Sequence, residues 1–132
     1  QHVLEPLSGY LQLGWHLLEE KSEFAEGWNF GPNLNSNISV KEVVEEVKNY
    51  WDDITYKINT DSSNLHEANL LMLDCSKANK LMNWESVWDK DKTFEKTINW
   101  YKTFYTNGKV NTEDDLLDYI NFAVQKELKW TK

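Results

Sequence analysis

The chain has 132 residues with 22 acidic and 14 basic side chains, a formal net charge of −8 at pH 7 and a pI near 4.8. That length fits one domain, and an apolar share of 40% with seven Trp, six Tyr and five Phe supplies a core, which excludes wholesale disorder. The acidity argues against a nucleic-acid or anionic-membrane surface, the apolar runs fall far short of the ~20 residues of a membrane helix, and the single Cys75 excludes an internal disulfide framework or a Cys-rich zinc site.

Pro6 suits the first turn of a helix, where its missing N–H costs nothing. Leu7, Tyr10, Leu11, Gly14, Leu17 and Leu18 then recur at helical spacing, and Glu19 to Lys21 close the segment. Gly9 and Gly14 lower helix propensity by about 1 kcal/mol each, so close packing against another element is expected there. Gly27 to Pro32 reads as a short strand ended by a Gly-Pro break. Ser39 and Glu42 form a capping box ahead of Val40, Val43, Val44 and Val47, the apolar face of a second helix ending near Tyr50.

Ile54, Tyr56 and Ile58 alternate with polar residues as in a half-buried strand. Ala68 to Leu73 is a further strand candidate, and Ser76 can cap a short helix over Lys77 to Met82. Thr93 to Tyr105 has helical spacing, with Gly108 as its stop. Thr112 and Asp115 open a last helix whose buried side is Leu116, Leu117, Ile120, Ala123, Val124 and Leu128. The expected fold class is mostly α with a few short strands, an α+β lobe without a self-sufficient sheet, and no internal boundary divides residues 1–132.

All 14 basic residues are Lys, so the forked guanidinium that grips phosphate in a bidentate way is absent. A phosphate site must then use Lys, backbone N–H groups or an Arg from outside the chain. The P-loop, G-x-G-x-x-G, H-E-x-x-H and G-x-S-x-G patterns do not occur, and His2, His16 and His66 are not at metal-ligand spacing. Tyr105-x-x-x-Lys109 has the spacing of a Tyr/Lys acid–base dyad, but Gly108 interrupts the helix such a pair needs. The pairs Glu45-Glu46, Asp52-Asp53 and Asp114-Asp115 read as solvated faces, and Asp114 and Asp115 complement a helix dipole. Cys75 reads as a small packed residue, with no His or second Cys near it in sequence. His66-Glu67, at a loop-to-strand junction, is placed like a ligand contact.

Several runs together resemble the CDP-glucose 4,6-dehydratases, extended short-chain dehydrogenases/reductases. They are Gln1 to Leu11 (Q-H-V-L-E-P-L-S-G-Y-L), Trp28-Asn29-Phe30-Gly31-Pro32, His66-Glu67-Ala68 leading through Leu71 to Leu73-Asp74-Cys75-Ser76-Lys77-Ala78, and Thr97-Ile98-Asn99-Trp100-Tyr101. Leu81-Met82-Asn83-Trp84 departs from the family's L-G-W, and Glu85-Ser86-Val87 lacks its usual Pro, so the backbone there is expected to differ.

The resemblance implies the C-terminal nucleotide-sugar lobe of a longer bacterial, cytoplasmic enzyme. Consistent with a piece of a longer protein, the chain opens on Gln1 without a Met or signal-peptide pattern. The Rossmann domain, its NAD and the catalytic residues would lie before Gln1, with a homodimer possible in the parent. The implied reaction converts CDP-glucose to CDP-4-keto-6-deoxyglucose. His66 and Glu67 are the implied nucleotide or phosphate contacts. Asn29 and Pro32 shape the loop near substrate, and His2 lines the site. Glu5, Pro6 and Gly31 are structural. A lobe of a related nucleotide-sugar epimerase or decarboxylase, or a stand-alone binding module, remain the alternatives.

Overall fold

The computed structural model describes residues 1–33, 36, 38–57 and 72–132. Four α-helices carry it: α1 (Leu4–Leu18), α2 (Val40–Tyr50), α3 (Lys90–Asn107) and α4 (Thr112–Gln125). Short 3-10 turns at Ser22–Phe24 and Lys129–Thr131 and a π turn at Ala78–Met82 accompany them among the described residues. The mostly helical class read from the sequence holds. No helix among the described residues is long and apolar enough to cross a membrane.

Local chemistry sets the helix ends. Pro6 sits in the first turn of α1, where the N–H it lacks has no partner within the helix. The capping box of α2 is complete: the Ser39 hydroxyl accepts from Glu42 N at 3.3 Å, and the Glu42 carboxylate accepts from Ser39 N at 2.7 Å. Asp89 caps α3 by accepting from Lys92 N at 2.8 Å, which starts that helix three residues before Thr93. Gly108 ends α3 at φ 66, a left-handed conformation that glycine adopts without a Cβ clash. At the start of α4 the cap position is Asn111, with no side-chain cap bond, and Thr112 is already helical.

The expected helix at Lys77 to Met82 is wound as a π turn, which carries an extra residue per turn compared with an α-helix. Asn83 follows at φ 53, with Trp84 N donating to Ala78 O at 3.2 Å. Leu81-Met82-Asn83-Trp84 therefore makes a left-handed turn with Asn where L-G-W would use Gly, since Asn tolerates that region better than most residues.

The expected strands need correction. Gly27 to Pro32 and Ile54 to Lys57 are neither helical nor laddered, and Met72 and Leu73 are likewise irregular. Alternation alone does not make a strand, because its N–H and C=O groups need a neighbouring strand. Ile58 and residues 68–71 lie outside the described residues.

Among the described residues, two small apolar clusters form the core. Phe30, Ala78, Met82 and Trp84 make one, and Val87, Trp88, Tyr119, Ala123 and Leu128 make the other. α2 lies along α3, joined by Lys90 to Glu46 at 3.2 Å and Lys102 Nζ to Tyr50 O at 3.2 Å.

The buried faces of two helices differ from the sequence pattern. In α1 the buried positions are Glu5 and Gly9, whereas Leu7, Tyr10, Leu11, Leu17 and Leu18 are exposed. In α4 they are Asp115, Tyr119 and Ala123, whereas Leu116, Leu117, Ile120 and Val124 are exposed. In both helices, buried hydrogen bonding and ion pairing turn the polar positions inward: Glu5 meets backbone N–H groups, and Asp115 meets Lys96.

Candidate functional site

Three of the motif-bearing runs meet around Phe30. Its ring packs edge-on to Trp84 (centroids 5.1 Å) and Tyr10 (5.6 Å), and it lies directly over Gly9 of α1. A Cβ at Gly9 would overlap that ring, so this glycine permits the close approach. Gly31 is buried against Leu73 and Cys75, and Asn29 Nδ2 donates to Asp74 O at 3.2 Å. The Trp28 to Pro32 turn is thus pinned on one side to α1 and on the other to the Leu73 to Ala78 run. Lys77 adds its ammonium over the Trp28 ring at 4.3 Å and an ion pair to Glu26.

Beneath α1 lies a buried polar hub. Glu5 is 1% exposed, and its carboxylate accepts from Val87 N at 2.9 Å, Trp88 N at 2.8 Å and the Tyr119 hydroxyl at 2.8 Å. The Ser8 hydroxyl donates to Glu5 O and accepts from Trp84 Nε1 at 2.9 Å. Burial holds the Tyr119 hydroxyl protonated well above the ordinary phenol range, as a donor to Glu5 must be. These bonds tie α1, the 84–88 loop and α4 together. A carboxylate this deep is tolerable because backbone and hydroxyl donors replace its water.

Two hollows open beside the first residues. The smaller, about 60 Å³, lies between Pro32, Asn33, Ser86, Trp88 and the start of α3. The Ser86 hydroxyl and Trp88 Nε1 are buried there without a hydrogen-bond partner among the described residues. The larger, about 430 Å³, is lined by His2, Val3 and Leu4, by Trp100 and Tyr101 of α3, and by Asp115 of α4. Its walls are largely apolar, and it has the size of a small-ligand pocket. Asp115 is held at 3.1 Å by Lys96, which also reaches Asp118 at 2.8 Å.

His2 is 9% exposed, with its ring edge-on to Trp88 at 4.9 Å, and its Nδ1 accepts from Leu4 N at 3.3 Å. Nε2 then carries the hydrogen of the neutral ring. Burial pushes the His2 pKa below 6.5, against an opposing pull from Asp115.

The structure separates some of the sequence-derived site residues. Pro32 lines the smaller hollow and His2 the larger, with Gln1 bordering both and donating through Nε2 to Phe30 O at 3.0 Å. Asn29 is exposed, beside Asp74. His66 and Glu67 lie outside the described residues. Trp100, Tyr101 and Asp115, which the sequence reading did not assign to a site, share the larger hollow with His2. Asp115 corrects the reading of the Asp114-Asp115 pair as a solvated face, since it is 7% exposed. Trp100 and Tyr101 stand in the T-x-x-W-Y run, so a signal was present. Nothing local foretold the burial of Asp115, because Lys96 reaches it from another helix.

Other side chains have packing roles. His16 stacks on Phe24 at 4.2 Å. Tyr105 is 70% exposed near the end of α3 and Lys109 lies past the Gly108 stop, so no helical dyad forms. Burial pushes the Cys75 thiol up, opposite to the shift of a reactive thiolate.

No group of three or more His, Cys, Asp or Glu side chains able to hold a metal occurs among the described residues. Nor do the glycines build a dinucleotide cradle. Gly9 and Gly14 lie inside α1, Gly27 and Gly31 in irregular chain, and Gly108 at a helix end, so none forms the strand-to-helix turn that holds a pyrophosphate. NAD does not fit this chain's own glycines.

No family model matches the sequence. Compared with curated proteins, the chain is similar to CDP-glucose 4,6-dehydratase of Salmonella typhimurium (strain LT2), with 38% identity over 104 residues. The match covers 79% of this chain and 29% of that protein, so the chain resembles a stretch of a dehydratase and spans less than a third of its length.

Proposed function

We propose that residues 1–132 are the C-terminal nucleotide-sugar lobe of a CDP-glucose 4,6-dehydratase. The observation that carries this reading is the 38% identity over 79% of the chain. The convergence of the matching runs on Phe30 supports it, because segments distant in sequence then build one local structure.

In this reading the parent oxidises C4 of CDP-glucose, loses water across C5–C6 and returns hydride to C6. The hydride chemistry would come from NAD held by a Rossmann domain outside these residues, together with the catalytic side chains. The present residues bind and orient. His66 and Glu67 contact the nucleotide or its phosphates, and Asn29 and Pro32 shape the loop against which the substrate rests. His2 lines the site as a neutral donor, while Glu5, Pro6 and Gly31 keep the backbone in place. Binding energy from the remote nucleotide helps position the sugar for reaction. The parent is a bacterial cytoplasmic enzyme.

The test is turnover of CDP-glucose with NAD. The polypeptide of the whole reading frame should form the 4-keto-6-deoxy product, and His66→Ala or Asn29→Ala should raise KM more than they lower kcat. The 132-residue chain alone should be inactive. Turnover by that chain alone, or a whole polypeptide that epimerises or decarboxylates its nucleotide-sugar instead, would overturn the reading.

A further inference from the structure

α1 has a polar inner side and an apolar outer side. Its inner side carries Glu5, Ser8 and Gly9 against the core, and its outer side carries Val3, Leu7, Tyr10, Leu11, Trp15 and Leu18. These six are exposed by 62%, 44%, 59%, 76%, 63% and 82%. Their spacing of three and four residues makes one continuous stripe. Within Leu4–Leu18 the one acidic or lysine side chain is Glu5, and it is buried. A contiguous exposed apolar stripe of this kind marks an interaction surface. α4 also exposes Leu117 and Val124, but Glu113, Asp114 and Asp118 interrupt that helix.

A second opening adjoins the stripe. Tyr10 packs on Phe30, and the N–H groups of Trp28, Asn29 and Phe30 donate no hydrogen bond among the described residues. Tyr10 thus joins the stripe to the Trp28 to Phe30 turn.

We infer that the outer face of α1 is the docking surface for the domain that precedes Gln1 in the parent polypeptide. This rests on the lobe reading above and names its interdomain surface. Two observations favour that occupant. The matched dehydratase has 71% of its length outside the aligned stretch (100 − 29), ample for a covering domain. The stripe residues are 44% to 82% exposed, and no acidic or lysine side chain of α1 interrupts them. A domain joined through the same chain also meets the stripe at high effective concentration.

Trp15 reports on the contact, read as the fluorescence difference between each protein and its Trp15→Phe variant. In the polypeptide of the whole reading frame, acrylamide quenching of Trp15 should be several-fold weaker than in the 132-residue chain. Leu11→Lys and Leu18→Lys should lower the melting temperature of the whole polypeptide and open its domain junction to protease, while leaving the melting temperature of the 132-residue chain unchanged. Equal quenching in both proteins would overturn the inference, as would a whole polypeptide indifferent to both substitutions. A 132-residue chain that sediments as a dimer dissociated by Leu11→Lys, with Trp15 still open in the whole polypeptide, would assign the stripe to a second copy and overturn it too. Shielded Trp15 without CDP-glucose turnover would keep this surface and reject the dehydratase reading. Turnover with Trp15 open would do the reverse.

Discussion

The two sides of α1 obey different rules. The inner side is held by directional bonds, with Glu5 and Ser8 meeting two backbone N–H groups, a phenol and an indole. The outer side carries larger apolar side chains that are 44% to 82% exposed. A pattern of apolar residues shows that a helix has something to bury, but not which partner buries it. Here the more polar side faces the core because its hydrogen bonds are satisfied there. The apolar side is left for another surface.

The sharpest way to break this contrast is Glu5→Ala. It would strand two backbone N–H groups in a buried site and leave the Tyr119 hydroxyl only Ser8 Oγ, at 3.2 Å, and should lower stability by about 3 kcal/mol in urea unfolding. Loss of less than about 1 kcal/mol would show that water reaches the hub and replaces the carboxylate.

Gly9→Ala comes next. The added methyl would overlap the Phe30 ring, and overpacking outweighs the gain in helix propensity, for a net loss of about 1–2 kcal/mol. Unchanged stability would mean that Phe30 can shift freely.

The buried His2 adds a smaller, pH-dependent contribution. Its folded pKa lies below 6.5 through burial, so the unfolded chain takes up a proton first as the solution is acidified. Stability from neutral His2 is present above pH 6.5 and is lost as the pH falls below that value toward the depressed folded pKa. His2→Gln should flatten that part of the stability profile. A profile unchanged by the substitution would assign the acid sensitivity to other groups.

Gly14→Ala should do the opposite of Gly9→Ala. A Cβ there meets nothing within 4 Å, so the 132-residue chain should gain up to about 1 kcal/mol of stability from helix propensity. The smallest effect is expected on the outer stripe: Leu11→Ser, at a position 76% exposed, should change the stability of the 132-residue chain by no more than about 0.5 kcal/mol. A larger loss would show that the stripe is already covered, by another copy of the chain.

Much of the local structure was legible because its causes are local. Ser39 and Glu42 predict their own capping box, and Gly108 marks the end of α3 without reference to the rest of the chain. Pro6 likewise marks the first turn of α1. The strands were misread for a complementary reason. Gly27 to Pro32 reads locally as a strand, but a ladder is a property of two segments, and none forms among the described residues. The candidate site was legible as motif runs, without its geometry. Nothing in the order of residues shows that His2 shares a hollow with Trp100 and Asp115, or that Pro32 borders a different one.

By itself, then, the sequence determined the helical character, the helix ends and the resemblance to a dehydratase, since propensity, capping and motif identity are carried by residues near one another in the chain. The tertiary structure decided which faces are buried. Glu5 and Asp115 turn inward because their partners, Val87 N, Trp88 N and Tyr119 for one and Lys96 for the other, come from distant positions. Burial of a polar group depends on whether its bonds are met in the folded chain, and that is settled by three-dimensional proximity.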